Sequence, residues 1–260
     1  MIWLLDKLPL WAMFGLTVVL VLASVEIGFR LGTWRHKVRV EEKESAASTL
    51  GTATLGLLAF MLAFTFGLAS SRYDDRRFVV LEESNAIGTA YLRTGFLPEA
   101  QREPSRALLR AYAEQRIAAT RPGQLDTAIR RAERIQGELW TLATAAMNSE
   151  QRSVSVGLYV NALNAVIDVH SKRIVMGVRS GIPWAIWSAL YLLTFAAMGA
   201  IGYKDGISGT SRTPAVLPLA LGFSIVLWLI ADLDRPTQGS LTADQHTMES
   251  LRRSMDLAPD

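Results

Sequence analysis

Residues 48–77 read STLGTATLGLLAFMLAFTFGLASSRYDDRR. From Ser48 to Ser71 no residue carries a charge. The next six, Arg72-Tyr73-Asp74-Asp75-Arg76-Arg77, hold five charges, with no turn residue between the two parts. An uncharged run of this length matches the roughly 20 apolar residues that cross a bilayer as a helix. The charged run belongs in water.

Three further stretches meet the same rule: Leu8 to Gly28, Gly181 to Tyr203, and Pro214 to Ala231. Trp3, Trp11 and Trp34 flank the first, and Trp184 and Trp187 open the third, as interfacial anchors do. The first is too long for a signal peptide and lacks a small-x-small cleavage site. Pro214 and Pro218 fall in the first turns of the fourth, where a missing backbone donor costs little. Half of the 260 residues are hydrophobic and a fifth are charged, a combination that needs segregation along the chain. The expected class is therefore all-α: a multi-pass membrane protein with four transmembrane helices. Its expected parts are residues 1–71 (two spans and a short basic loop), 72–180 (a helical extramembrane insert), 181–234 (two spans) and 235–260 (a polar tail).

The insert reads as helices throughout. Leu125, Ala128, Ile129, Ala132, Ile135, Leu139, Leu142, Ala143 and Ala146 form one apolar stripe at helical spacing. Leu109, Tyr112, Ala113 and Ile117 form a shorter one after Pro98, and TRPGQ (120–124) is a turn between them. A further helix is expected from Ser149–Ser153 into the third span, with Asn161, Asn164, Asp168 and Lys172 as a polar stripe. Asp168 and Lys172 have the spacing of an i,i+4 pair.

Charge does not orient the chain. The first short loop carries Arg30, Arg35, Lys37, Arg39 and Lys43 against Glu41, Glu42 and Glu44. The ends of the insert carry Arg72, Arg76, Arg77, Lys172, Arg173 and Arg179. Acids weigh little in the positive-inside rule, so the two sides tie.

On a helical wheel, Ser48, Thr52, Gly56, Ala59, Ala63, Phe66, Gly67 and Ser70 share one face of the second span, all but Phe66 small or hydroxylated. Leu57, Phe60, Met61, Phe64 and Leu68 form a bulky face. A small-residue stripe lets helices approach closely. Around an oligomer axis the same stripe leaves a lumen, with one phenylalanine ring as an apolar constriction that gates by dewetting. The residues leave both readings open. The pore reading makes Thr52, Gly56, Ala59, Ala63, Phe66, Gly67 and Ser70 the lining and Arg72 to Arg77 the mouth. There, Asp75 reaches back to Arg72 and Asp74 forward to Arg77. Charge at a mouth concentrates ions of one sign. Beyond it, EESNAIGTAYLR (82–93) presents Ser84, Asn85 and Gly88 as a small polar strip suited to close packing or a wet inner wall.

LLAFMLAFTFGLASSRYDDRR and VLEESNAIGTAYLRTGFLPE together resemble the bacterial bestrophin-like membrane family, and are more distantly similar to bestrophin ion channels. The resemblance implies a homo-oligomer, a pentamer, in which the second span lines a narrow neck. It also implies a bacterial inner (plasma) membrane location with the insert and both termini cytoplasmic. Anchored on Tyr73-Asp74, it puts Ala59, Ala63 and Gly67 at the neck positions, which are bulkier in bestrophins. The calcium-binding acidic clasp of animal bestrophins is not visible, so no metal is expected.

Other chemistry finds little support. There is no cysteine, and His36, His170 and His246 form no metal-ligand pair. GxxxxGK[ST], HExxH and GxSxG do not occur, so neither an enzyme nor a cofactor is expected. A net charge of +3 without a dense basic block gives no nucleic-acid footprint. The pairs Asp74-Asp75, Glu82-Glu83 and Glu41-Glu42 read as charged helix surface. Glu26, the one acid inside a span, has Arg30 one turn on. The expected partners are the lipid bilayer, further copies of the chain and inorganic ions. The rival is a non-conducting sensor or scaffold whose insert binds a partner protein. A transporter would need a span broken at mid-membrane, and no span shows such a break.

Overall fold

The computed structural model describes residues 9–38, 44–121, 123–148, 154–179, 181–209, 216–235 and 244–257. Trp3, Leu8, the loop residues 39–43, Pro122, Ser149–Ser153 and Pro214 lie outside the described residues, as do 236–243 and 258–260 of the C-terminal segment. The described residues are helical, without a strand, in the order α1 (Leu10–Lys37), α2 (Glu44–Arg93), α3 (Glu99–Ala118), α4 (Leu125–Met147), α5 (Val154–Ile174), α6 (Trp184–Ile207), α7 (Val216–Asp234) and α8 (His246–Leu257). A 3₁₀ turn, Thr94–Phe96, follows α2, and a π-helical turn, Val175–Arg179, follows α5. Four helices are long and apolar enough to cross a membrane: α1, the apolar part of α2, α6 and α7.

The chain forms two compact units, Met1–Arg72 with Gly181–Leu241, and Tyr73–Ser180 with Thr242–Asp260. In the first, α1 and α6 pack backbone to backbone. A Cβ added to Gly28 would sit 2.0 Å from the Gly199 carbonyl oxygen, and one added to Gly202 would sit 2.0 Å from that of Val25. At Gly32 and Gly206 the distances to the carbonyl oxygens of Tyr203 and Phe29 are 2.2 and 2.4 Å. Small residues at such crossings replace the hydrophobic drive that is missing in lipid. Partner numbers rise together along both helices, from Thr17 with Tyr191 to Gly32 with Tyr203, so α1 and α6 run parallel. Two consecutive crossings alternate in direction, and a parallel first and third span fits one crossing by α2 between them.

α5 does not run into the third span as expected. It ends at Ile174, and Pro183, extended at φ −54° and ψ 140°, starts α6 afresh. The Ile182 N–H left over at this break donates to Asp234 Oδ1 at 2.8 Å.

The second unit has its own apolar core of Ile87, Leu97, Leu109, Tyr112, Leu139, Tyr159 and Leu163, with their neighbours. The α4 stripe buries Ala128, Ala132, Leu139, Ala143 and Ala146 as its spacing predicts, and it also buries Gln136. The polar tail supplies α8, which sinks Met248 and Met255 into this core. Tyr91 Oη donates to the Met255 carbonyl at 3.0 Å, and the Arg110 guanidinium donates to both. A cation at the exposed carbonyls of a helix C-terminus is favourably placed.

Candidate functional site

α2 is one helix of 50 residues, so the apolar run and SSRYDDRR share a single rod. Nothing between Ser48 and Arg77 interrupts it, because no proline or positive-φ glycine occurs there. Within the first unit, Gly51, Leu58, Leu62, Thr65 and Ala69 are its buried side. Thr52, Gly56, Ala59, Ala63, Phe66 and Gly67 are exposed and Ser70 is half-buried. The small face is therefore not used for packing inside the subunit in the way that the α1–α6 glycines are. The bulky residues Leu57, Phe60 and Phe64 are exposed as well. Thr52 donates its hydroxyl to the Ser48 carbonyl at 2.9 Å, which satisfies its proton within the helix and leaves lone pairs outward.

Ala59, Ala63 and Phe66 form one wall of an apolar cleft of about 650 Å³. Pro218, Leu219, Gly222 and Phe223 of α7 form the other wall. This face thus borders an open groove on one side.

At the charged end, Asp74, Asp75 and Arg77 are exposed, Arg72 and Tyr73 are half-buried, and Arg76 is buried. The pairs expected of Asp74 and Asp75 do not form among the described residues. Arg77 instead lies over the Tyr73 ring, 5.8 Å from its centroid. The strip beyond is divided. Ser84 is buried and donates to the Thr247 carbonyl at 3.3 Å, and a Cβ at Gly88 would meet Leu251 at 3.1 Å, so both seat α8. Asn85 is exposed.

Glu83 corrects the reading of Glu82-Glu83 as charged surface, because it is fully buried. Arg116 Nε stands 2.8 Å from its Oε1, and Arg173 donates to its Oε2. The Tyr112 hydroxyl, also fully buried, lies 3.2 Å from Glu83 Oε1, 3.1 Å from His170 Nδ1 and 3.3 Å from Gln136 Nε2. A phenol oxygen has one proton and two lone pairs. Donation to Glu83 and acceptance from Gln136 and His170 fill all three. This makes His170 the Nδ1–H tautomer and leaves its buried Nε2 as a bare acceptor, which costs less than an orphan N–H.

Burial pushes the Glu83 carboxyl up, but Arg116 and Arg173 outweigh it and hold the group below the usual carboxylate range. Burial, aided by Arg116, depresses His170 to about 4. At the rim, Lys172 pairs with Glu82 at 2.5 Å instead of with Asp168. Of this cluster the sequence marked only Tyr112, as part of the apolar stripe of α3. The only signal was positional: Arg116 follows Leu109, Tyr112 and Ala113 on the apolar face of α3. No group of three or more His, Cys, Asp or Glu that could hold a metal occurs among the described residues.

The family model described as Bestrophin-like domain matches residues 17–248. No curated protein matches the chain. Among solved structures, an isoleucine-to-threonine variant of a bacterial bestrophin homologue from Klebsiella pneumoniae is 16% identical, with a TM-score of 0.58 over 95% of this chain and 98% of that one. A tyrosine-to-alanine variant of that homologue reaches a TM-score of 0.65 at 16% identity, over 92% and 96%. A leucine-to-threonine variant gives 0.63 at 16% identity, over 95% and 97%. At this identity the likeness is one of fold.

Proposed function

Since this chain belongs to the bestrophin-like family, we propose that it is an ion channel: a homo-oligomer, a pentamer, in the bacterial inner membrane with α2 lining the pore. The observation that carries this reading is the face of α2. Thr52, Gly56, Ala59, Ala63, Phe66 and Gly67 stay exposed in the subunit, while Gly51, Leu58, Leu62, Thr65 and Ala69, about a third of a turn round the same helix, are buried. A lining must be left uncovered by its own chain. Phe66, 40% exposed, is the one large apolar ring on that face and supplies the constriction. The mouth is Arg72 to Arg77; Arg76 is buried there, so Asp74, Asp75 and Arg77 are its exposed charges and the three-to-two excess of arginine does not set an anion field. Asn85 is the inner-wall candidate that α8 leaves open. The insert and both termini are placed in the cytoplasm.

One observation favours the rival sensor or scaffold. Ala59, Ala63 and Phe66 border the cleft with α7, so a neighbouring helix could fill that face and close any lumen. Recording from purified protein in planar bilayers under asymmetric salt separates the two. Wild-type current that grows in Phe66→Ala supports the channel, and its reversal potential gives the ion sign. Silence in both proteins, each shown to be folded and oligomeric, would overturn it.

A further inference from the structure

Within the second unit, α8 is held by fewer buried side chains than its neighbours. α4 and α5 each bury six, whereas α8 buries two, Met248 and Met255. They stand seven residues apart, two turns along one face, with the half-buried Leu251 between them. Both thioethers enter the apolar core of the unit. The rest of the seam is polar: Ser84 donates to the Thr247 carbonyl, Tyr91 and Arg110 donate to that of Met255, and Arg252 pairs with Glu114 at the surface. A 12-residue helix is marginal by itself, so α8 owes its order to this docking. An element with so few buried side chains opens at the low end of a protein's range of local stabilities.

The chain has no cysteine, so methionine is its only oxidisable sulfur. We propose that Met248 and Met255 are a modification site: oxidation of their thioethers to sulfoxides by a peroxide releases α8 and bares Ser84, Gly88 and Tyr91 on α2. The peroxide O–O bond breaks and one oxygen bonds to the methionine sulfur. The proton of that oxygen moves to the other, which leaves as water. The sulfur loses two electrons and the peroxide gains them. Each opening of α8 brings the sulfurs to solvent. The added oxygen then hinders return, because a polar S=O group without a donor is costly in an apolar core. Methionine sulfoxide reductases reverse the step, as a switch requires. Two other methionines bracket the site: Met147 on α4 is 41% exposed, and Met198 on α6 is fully buried in the first unit. The release does not depend on the channel reading and is read without conductance.

The test treats the full protein in nanodiscs with hydrogen peroxide. Peptide mass spectrometry reads each methionine, and hydrogen exchange follows the 246–257 peptide alongside. Met147 is expected to oxidise first, Met248 and Met255 next, and Met198 last. Exchange in 246–257 should quicken about tenfold, the effect of one buried polar group without a partner, while α4 peptides keep their rates. Reductase treatment should restore the slow exchange. Met248→Leu with Met255→Leu keeps the packing volume and should leave 246–257 unmoved by peroxide. Oxidation of Met198 before Met248 and Met255 would overturn the inference, as would sulfoxides at both positions with unchanged exchange. So would a loss of protection in α4 that matches the loss in 246–257, or an equal response from the leucine variant. If that variant fails to fold, the order of oxidation and the wild-type exchange still decide it.

Discussion

Acidification should loosen the second unit through one side chain, His170. It is 3% exposed and hydrogen-bonded to Tyr112, with Arg116 and Arg173 facing it across Glu83. In the native fold it takes a proton only near pH 4, against 6.5 for the ordinary group. The unfolded chain therefore binds more protons than the folded one between those values, and stability falls as pH falls through that window. The whole interval amounts to roughly 3 kcal/mol, and the step from about pH 7 to about pH 5 takes about 2 kcal/mol of it. Glu83 works in the same direction, because its carboxyl is held below its ordinary value and the unfolded chain takes up that proton first. Hydrogen exchange of the intact protein, read by mass spectrometry on peptides from α3, α4 and α5 and corrected for intrinsic rates, gives the opening free energies. The wild type should lose protection on acidification and His170→Gln should lose markedly less. Equal losses in both would refute the reasoning, since the acid sensitivity would then come from other groups.

Glu83→Gln should cost about 3–5 kcal/mol, seen as early helix loss on heating, because Arg116 and Arg173 stay buried without their counter-charge. Adding Arg116→Met should recover part of that. Gly28→Ala should prevent a stable α1–α6 pair, with little folded protein recovered in detergent. Gly15→Ala, where a Cβ meets nothing within 4 Å, should stay within about 0.5 kcal/mol of wild type. Tyr91→Phe removes one of the donors to the Met255 carbonyl and should speed exchange in the 246–257 peptide by roughly tenfold, with α4 peptides unchanged. Asp234→Ala leaves the Ile182 N–H without its acceptor and should cost about 1–3 kcal/mol, read as a lower melting temperature.

The membrane helices were legible because their signal is additive over about twenty residues, and no local detail can cancel it. The α4 stripe was legible for the same reason. What failed were readings that depend on what stands opposite. The eye goes to the small stripe on α2, yet the glycines that bring backbones together are Gly28, Gly32, Gly202 and Gly206. Those sit among ordinary apolar residues, and a glycine in a span looks the same whether a helix covers it or not. Ser84, Asn85 and Gly88 share a strip by spacing, and only α8, over a hundred and fifty residues away in sequence, separates Ser84 and Gly88 from Asn85.

Glu83 shows the limit most sharply. A carboxylate is read as surface because leaving it alone in a core costs several kcal/mol. Here its neighbours remove that objection: Arg116 arrives from α3 and Arg173 from the end of α5, with Tyr112 between them. Each of the three is unremarkable on its own helix. Only their convergence makes burial possible, and convergence is a property of the tertiary fold. The same logic bears on α2. Its small face stays exposed among the described residues, so its meaning is decided by what comes to cover it, which is why the conductance of Phe66→Ala weighs more than any further reading of the wheel.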